Sequence, residues 1–218
     1  MRFSNKVLLA SMNPDKFREF SALLQGYPEV QLVPAEGVLV NPEKLAFVEV
    51  HATYTENAIA KARLANMGSH LPSLADDSGL EVEALGGKPG VHSHRYAQAQ
   101  IGSATPITRG GQDHANTDLL LSEMAKAGGS RKAKFVAALA LMVEGILVHS
   151  IGTLDGTIAE VPRGSNGFGY DPVFIPEGST KTLAEMTDPE KNAISHRARA
   201  LQELMTQVRV RGIVLAKP

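Results

Sequence analysis

The order of apolar and polar positions at the start of the chain predicts a strand, a tight turn and a helix. Residues 7–10 form an unbroken apolar run, which is typical of a strand buried on both faces. Asn13 and Pro14 follow in the positions of a helix N-cap and a first helical residue. Apolar residues then recur at helical spacing until Gly26, where the predicted helix ends.

The next part of the chain predicts a second helix and two strand segments. The helix covers about residues 55–67, with an alanine-rich apolar face, and Gly68 ends it. Residues 73–76 are predicted to be the end of a strand, and the alternation over residues 80–85 predicts a half-buried strand. Between them, Ser78-Gly79 predicts a turn, and glycine and proline mark further turns at 86–87 and 89–90.

The second half of the chain mixes strands and helices. In order, the pattern predicts a surface loop over residues 98–115, a helix over 118–127, strands over 135–143, 146–158 and 173–175, and a helix over 195–208. The two long strands are joined at Glu144-Gly145, which predicts an antiparallel hairpin. The order of elements therefore predicts an α/β sheet that carries a hairpin-rich second lobe.

Composition narrows the class of protein. The 218 residues (23.2 kDa) can form one α/β domain with a sizeable core, or two lobes that share one sheet. The charges nearly balance, at 22 Lys plus Arg against 23 Asp plus Glu, which argues against a protein that coats nucleic acid or anionic membrane. The absence of cysteine excludes disulfides, thiolate zinc sites and cysteine nucleophiles. Without an apolar run of about 20 residues or a signal peptide, we expect a cytoplasmic protein with no membrane partner.

Two segments with charged side chains, one basic and one acidic, suggest a phosphate-binding site and a metal site. Ser11 to Lys16 enter a helix N-terminus, which favours an anion and could position a phosphate beside Lys16; a capped surface helix is the open alternative. Asp76 and Asp77 close an apolar strand, where α/β sheets usually bind ligands, and their hard oxygen ligands suit Mg²⁺. Adjacent strand residues point to opposite faces, so we expect one of the two to face the ligand. Glu49 is a candidate second metal ligand, and an Asx-turn at Asp77 or a solvated Glu49 are the alternatives.

Two segments in the last quarter of the chain combine aromatic or basic side chains with turn residues. Over residues 165–172, Phe168 and Tyr170 lie between glycines, a pattern that allows an aromatic ring to stack on a nucleobase. A turn anchored in the core by Phe168 is the alternative. Residues 190–197 place donors near the start of the final helix, with Ser195 as the expected N-cap and a capped surface helix as the alternative.

Several familiar catalytic motifs are absent from the sequence. It contains no Gly-x-x-x-x-Gly-Lys phosphate loop, no dinucleotide-binding fingerprint and no Gly-x-Ser-x-Gly elbow. His92 and His94 lack the further ligands that a zinc site would require.

Taken together, the order and spacing of these segments resemble the inosine triphosphate pyrophosphatase family over nearly the whole chain. The matching residues are 11–16, 53–58, 76–80, 85–90, 95–97, 167–172, 184–186, 190–192 and 195–197. The resemblance implies a mixed central sheet with flanking helices, folded as one domain over residues 1–218, with two lobes around an active-site cleft. It also implies a cytoplasmic homodimer and hydrolysis of ITP, dITP and XTP to the monophosphate and pyrophosphate.

The same resemblance implies roles for individual residues. Asp77 is expected to be the catalytic base and, with Glu49, a ligand of a Mg²⁺ cofactor. For the triphosphate the expected contacts are Ser11, Asn13 and Lys16, and Arg95 is expected to contact a phosphate. Ser78 is a further expected substrate contact. For the base and sugar the expected contacts are Phe168, Gly169, Tyr170 and Asp171, and for the base edge they are Lys191, His196 and Arg197. One departure stands out: Met12 occupies a position where the family has glycine.

The mechanism that follows is attack of water on the α-phosphorus, with charge neutralisation and in-line positioning as the main sources of catalysis. Hypoxanthine and xanthine present a 6-oxo acceptor where adenine presents a donor, so cationic donors would select against adenine. The alternatives are a pyrophosphatase for modified pyrimidine or standard triphosphates, a nucleotide sensor that does not cleave, and a scaffolding protein.

Overall fold

The computed structural model describes residues 1–101 and 108–216. The chain divides into two compact units. The first unit comprises Met1–Asp77, Ala137–Gly152 and His196–Pro218, and the second comprises Ser78–Val136 and Thr153–Ser195. No helix in these described ranges is long and apolar enough to cross a membrane.

Within the described residues, the strands form two sheets and the longer helices number six. The strands are β1 Arg2–Ser4, β2 Lys6–Leu9, β3 Gln31–Pro34, β4 Ser73–Val82, β5 Lys132–Val143, β6 Ile146–Ile158, β7 Phe174–Pro176 and β8 Val214–Ala216. The α-helices are α1 Pro14–Leu23, α2 Tyr54–Ser69, α3 Tyr96–Ile101, α4 Arg109–Ala127, α5 Asp188–Ile194 and α6 His196–Val210. Strands β1 and β8 pair in a small sheet, and the other six follow the order β3-β2-β4-β5-β6-β7.

The larger sheet is mixed, which confirms the predicted α/β class. Strand β2 pairs in parallel with both β3 and β4, whereas β6 and β7 are antiparallel. Strands β5 and β6 are neighbours joined by the two residues Glu144 and Gly145, which have φ angles of 43° and 83°. Positive φ at both central residues is what a type I′ hairpin turn requires, so the predicted hairpin is confirmed.

Each unit has its own apolar core. In the first unit the core joins the first strands, α1 and α6, through residues that include Leu9, Phe20, Leu139, Leu141 and Leu204. In the second unit it joins α4 to the strand ends and the segment before α5, through residues that include Leu80, Leu120, Phe135, Phe174 and Leu183. The apolar runs predicted as strands therefore do supply the cores.

Two local predictions are wrong. The turn at Ser78-Gly79 does not form, because β4 runs without interruption from Ser73 to Val82 and is buried for most of its length. Tertiary contacts override the turn preference here, as when the Ser93 hydroxyl accepts a hydrogen bond from the Leu80 amide at 2.9 Å. Residues 80–85 are accordingly the end of β4 followed by a 3₁₀ turn at Glu83–Leu85.

The predicted surface loop at 98–115 is the second error. Its start belongs to α3 and its end from residue 109 onward to α4, while residues 102–107 lie outside the described part of the chain. Asn116 accepts hydrogen bonds from Ala97 N and Gln112 Nε2, and this pairing stabilises helix in a segment whose composition favours a loop. Several short elements were not predicted: β1, β3, β8 and helix α5, which precedes α6.

Close packing of β6 against α6 makes Gly152 a sensitive position. A Cβ atom at Gly152 would overlap the His196 carbonyl oxygen and the Ala200 backbone nitrogen, neither of which can move aside easily. We expect Gly152→Ala to lower the free energy of unfolding by about 1–3 kcal/mol through overpacking. Urea denaturation measures this change. Gly26→Ala is the control, since space around Gly26 is open, and an equal loss in both variants would contradict the packing argument.

Candidate active site

The segment between β2 and α1 folds as the sequence predicts, with Asn13 as the N-cap. Asn13 Oδ1 accepts hydrogen bonds from Asp15 N at 2.9 Å and Lys16 N at 3.0 Å. Ser11 Oγ accepts a hydrogen bond from Asn13 N at 3.1 Å, which holds the residue before the helix in place. Because Asn13 already bonds two free amides of the helix N-terminus, the charge that this turn offers an anion comes mainly from Lys16.

Lys16 is the first member of a chain of buried ion pairs in the first unit. Its ammonium lies 2.6 Å from Asp76 Oδ2, and Arg197 Nε donates to the same oxygen at 3.4 Å. Arg197 Nη1 in turn donates to Glu19 Oε2 at 3.1 Å. The Asp76 side chain is fully buried and the Arg197 and Glu19 side chains are nearly so. Helices α1 and α6 are thus joined to the strand that carries Asp76.

Burial and neighbouring charges shift the pKa values of Asp76 and Lys16. Burial alone would raise the pKa of Asp76, but the positive charges of Lys16 and Arg197 outweigh burial and hold it well below its usual range. Burial lowers the pKa of Lys16, an effect that Asp76 partly offsets. Asp76 therefore stays ionised as a fixed negative charge.

Asp77, the next residue, has different partners. Asn57 Nδ2 donates to Asp77 Oδ2 at 3.0 Å, and Asn57 Oδ1 accepts from His51 N at 2.9 Å, which orients the amide. Lys61 Nζ lies 3.5 Å from Asp77 Oδ1 and 2.7 Å from Glu49 Oε1, and it also donates to the Asp76 backbone carbonyl at 2.6 Å. Lys61 therefore links the two candidate metal ligands.

Burial raises the pKa of Asp77, and Lys61 only partly offsets this effect. For Lys61 the balance is reversed: burial lowers its pKa, but Asp77 and Glu49 outweigh burial and raise it. Lys61 thus stays charged, while Asp77 binds a proton more readily than an ordinary aspartate. Asp76 is therefore a fixed negative charge, whereas Asp77 is suited to accept a proton.

The charge balance of this cluster is suited to a cation shared with a phosphate ligand. The four carboxylates of Glu19, Glu49, Asp76 and Asp77 exceed the three cations by one charge. Among residues 1–101 and 108–216, no group of three or more His, Asp or Glu side chains could hold a metal by itself. The carboxylates of Glu49 and Asp77 fit Mg²⁺, which is usually bound by one or two carboxylates, waters and substrate phosphates.

The aromatic segment of the second unit is also fixed by a buried ion pair. Asp171 Oδ2 accepts from Lys191 Nζ at 2.6 Å and from Phe168 N at 3.0 Å. Lys191 Nζ also lies 4.9 Å from the centre of the Phe168 ring. Gly167, at φ 74°, passes so close to the Asp171 carboxylate that any Cβ there would overlap it. Phe168 is half-buried, so its ring is not simply a core anchor.

Neighbouring elements hold the rest of this segment. Tyr170 is buried and its hydroxyl donates to Ser93 O at 2.9 Å, while Gly169 N donates to Asp113 Oδ2 at 3.0 Å. Lys191 is placed by α5, which starts with a capping box formed by Thr187 and Glu190. The structure therefore brings together the predicted base-binding residues 168–171 and Lys191.

The remaining predicted residues are placed as follows. Ser78 is half-buried in β4, Arg95 is half-buried just before α3, and His196 is buried at the first turn of α6. Ser195 directly precedes α6, the position expected for an N-cap. Arg197 lies among carboxylates of the first unit, and its predicted contact with a base edge stays a prediction.

Four contacting residues were not predicted from the sequence: Asn57, Lys61, Glu19 and Asp113. A signal existed for Lys61, which lies on the face of α2 that also carries the buried Ala58, Ala62 and Ala65. A lysine on the apolar face of a helix is rarely buried unless it is paired. Glu19 follows Lys16 by three positions on α1 and so shares its face.

The opposite pKa shifts of Asp76 and Asp77 predict opposite effects on stability. A carboxyl whose folded pKa is depressed stabilises the protein above its unfolded pKa and loses this effect as the pH falls. Asp76→Asn should therefore lower the free energy of unfolding by about 3–5 kcal/mol at about pH 7 and by less at about pH 3. Asp77 has a raised folded pKa, so Asp77→Asn should leave stability unchanged or increased near pH 7.

Urea denaturation in metal-free buffer at the two pH values measures both changes. Equal destabilisation by the two substitutions near neutral pH would contradict the assignment of Asp76 as the structural charge.

Comparisons with known proteins agree in both sequence and structure. The sequence model of the Ham1 family matches residues 7–207. A protein of Bordetella pertussis named dITP/XTP pyrophosphatase is 45% identical over 212 residues, covering 96% of this chain and 93% of that protein. One of the same name from Aquifex aeolicus is 42% identical over 200 residues, covering 92% and 95%.

Among solved structures, a HAM1 protein from Coxiella burnetii has a TM-score of 0.75 and 37% identity, covering 94% of this chain and 98% of that one. A Mycobacterium abscessus structure described as nucleoside-triphosphatase / dITP/XTP pyrophosphatase has a TM-score of 0.65 and 40% identity, covering 93% and 99%. Both the fold and nearly the full length are therefore shared with these proteins.

Proposed function

The chain belongs to the Ham1 family, and from this premise we propose that it is a nucleoside-triphosphate pyrophosphatase. Its substrates are the aberrant purine nucleotides ITP, dITP and XTP, which it converts to the nucleoside monophosphate and pyrophosphate. The names of its relatives support this substrate class. The observation that carries the proposal is the division between Asp76, held by two cations, and Asp77, whose pKa burial raises.

In the proposed reaction Asp77 is the catalytic base. It accepts the proton of a water molecule whose oxygen forms a bond to the α-phosphorus, while the bond from the α-phosphorus to the bridging oxygen breaks and pyrophosphate leaves. A raised pKa makes Asp77 a better proton acceptor near neutral pH than an ordinary aspartate. Asn57 and Lys61 hold its two oxygens in a fixed orientation.

Asp77 and Glu49 are the residues that would hold Mg²⁺. When bound, the ion supplies positive charge that neutralises the phosphate oxygens. Lys16 adds a cation from α1, and its position depends on Asp76, whose carboxylate lies 2.6 Å from the ammonium. Lys61 keeps Glu49 and Asp77 close to each other although both are negative. The chain's own contribution is thus to fix charges where a triphosphate needs them.

The aromatic segment of the second unit is the proposed site for the base. Phe168 would stack on the purine ring, a contact worth roughly 1–3 kcal/mol. Lys191 lies beside this ring and forms an ion pair with Asp171. A cationic donor at the 6-position favours the oxo group of hypoxanthine and xanthine over the amino group of adenine. Guanine shares the oxo group, so its exclusion needs crowding at the 2-position.

A homodimer and a cytoplasmic location complete the proposal. Residues 38–50 of the first unit expose the apolar side chains of Val40, Phe47 and Val50, at 92%, 74% and 78%. Exposed apolar surface of this kind is suited to a subunit interface.

The role of Asp77 is tested by Asp77→Asn. We expect kcat for ITP to fall by about 10²–10⁴-fold, because asparagine cannot accept the proton. Pyrophosphate release measures turnover, and circular dichroism shows whether the variant is folded. Asp155→Asn, at an exposed position on β6, is the matched control. Full activity of the Asp77 variant would remove this residue from the mechanism.

The substrate class is tested by pyrophosphate release from ITP, dITP, XTP, GTP and ATP, each with and without Mg²⁺. We expect kcat/KM for the first three to exceed that for ATP by at least about 10²-fold, and activity to require the metal. Similar turnover of ATP and ITP would contradict the proposed base recognition. Binding of ITP without hydrolysis would instead indicate a nucleotide sensor.

A further inference from the structure

A hydrogen bond attaches the loop that carries Phe168 to helix α4. Gly169 N donates to Asp113 Oδ2 at 3.0 Å, and the two residues are 56 positions apart in the sequence. The preceding amide, Phe168 N, donates to Asp171 Oδ2 at 3.0 Å. Two successive amides of one loop are therefore held by carboxylates from two different elements.

These two bonds constrain the backbone on both sides of Phe168. Gly169 has a φ of 62°, in the left-handed region that favours glycine, and its amide donates to α4. The peptide planes on both sides of Phe168 are thereby fixed, and the direction of its Cβ follows from them. Asp171 is itself held by Lys191 of α5, whereas Asp113 holds the loop from α4.

Helix α4 is in turn held in place near its start. Asn116, one turn after Asp113, is buried and donates to His94 O at 3.0 Å through Nδ2. Its Oδ1 accepts from Ala97 N at 2.9 Å and from Gln112 Nε2 at 2.8 Å. Helix α4 is therefore bonded to the chain just before and just after Arg95. The Asp113 carboxylate, which extends from this helix, can act as a rigid support for the loop.

We propose that Asp113 is a positioning residue for nucleobase recognition, acting through the Gly169 amide to hold Phe168 in its stacking position. This inference rests on the proposed function. Asp113 is outside the carboxylate cluster of the first unit, so its loss should weaken binding of the base more than the chemical step. We expect Asp113→Ala to raise KM for ITP by about tenfold, the equivalent of one weakened base-stacking contact, with kcat changed by less than about twofold.

The test compares three variants with the wild type. Asp113→Ala removes the acceptor, Asp113→Asn keeps an oxygen that can accept the Gly169 amide, and Asp118→Ala is the control at an exposed position on the same helix. Steady-state kinetics with ITP and ATP give kcat and KM. Amide hydrogen exchange over residues 165–172 reports the loop directly and does not depend on activity.

The inference predicts faster exchange of residues 165–172 and a higher KM for ITP in Asp113→Ala alone, with Asp113→Asn close to the wild type. An active wild type with unchanged KM and exchange in Asp113→Ala would overturn this inference but not the proposed function. So would an equal loss in Asp113→Asn, or a fall in kcat at constant KM. A wild type that hydrolyses none of the nucleotides would overturn the proposed function, and this inference with it.

Discussion

The first unit depends on one fully buried carboxylate, that of Asp76. An isolated charge at such a site would be very costly, and it is tolerated because Lys16 lies 2.6 Å away and Arg197 approaches the same oxygen. These partners come from α1 and α6, at opposite ends of the sequence. The ion pairs thus join a strand and two helices at the position where the proposed chemistry takes place.

The neighbouring carboxylate, Asp77, has different partners. Asn57 and Lys61 contact it, and burial raises its pKa more than the positive charges of Lys61 and Lys16 lower it. The second unit also contains a buried ion pair, in which Lys191 Nζ lies 2.6 Å from Asp171 Oδ2. The same oxygen accepts a hydrogen bond from Phe168 N and so fixes the backbone at Phe168. In both units a buried ion pair lies next to a residue that we propose to contact the ligand.

Features that depend on local sequence could be predicted. Asn13 and Pro14 determine the start of α1, and Glu144-Gly145 determines the β5–β6 hairpin, because capping and turn geometry involve residues a few positions apart. The loop predicted at 98–115 was wrong for the opposite reason. Its helices depend on packing and on the contacts of Asn116, which composition does not reveal.

In the candidate site, too, individual residues were predicted from the sequence but contacts between distant residues were not. Lys16, Glu49 and Asp77 were predicted, and the structure places all three in one network, although their roles stay predictions. Its central connector, Lys61, was missed because an exposed lysine is the ordinary expectation for a helix. The pair between Glu19 and Arg197 spans 178 positions, a separation at which sequence pattern carries no signal about contact.

The central claim is that Asp77 is the carboxylate that meets metal and substrate, while Asp76 is a structural charge. A crystal structure of this chain with Mg²⁺ and a non-hydrolysable ITP analogue tests it most directly. The account predicts that the Asp77 carboxylate is a ligand of the ion, with the α-phosphate beside it, and that Asp76 keeps Lys16 and Arg197 as partners. A metal held by Asp76, or a triphosphate bound away from Asp77, would contradict it.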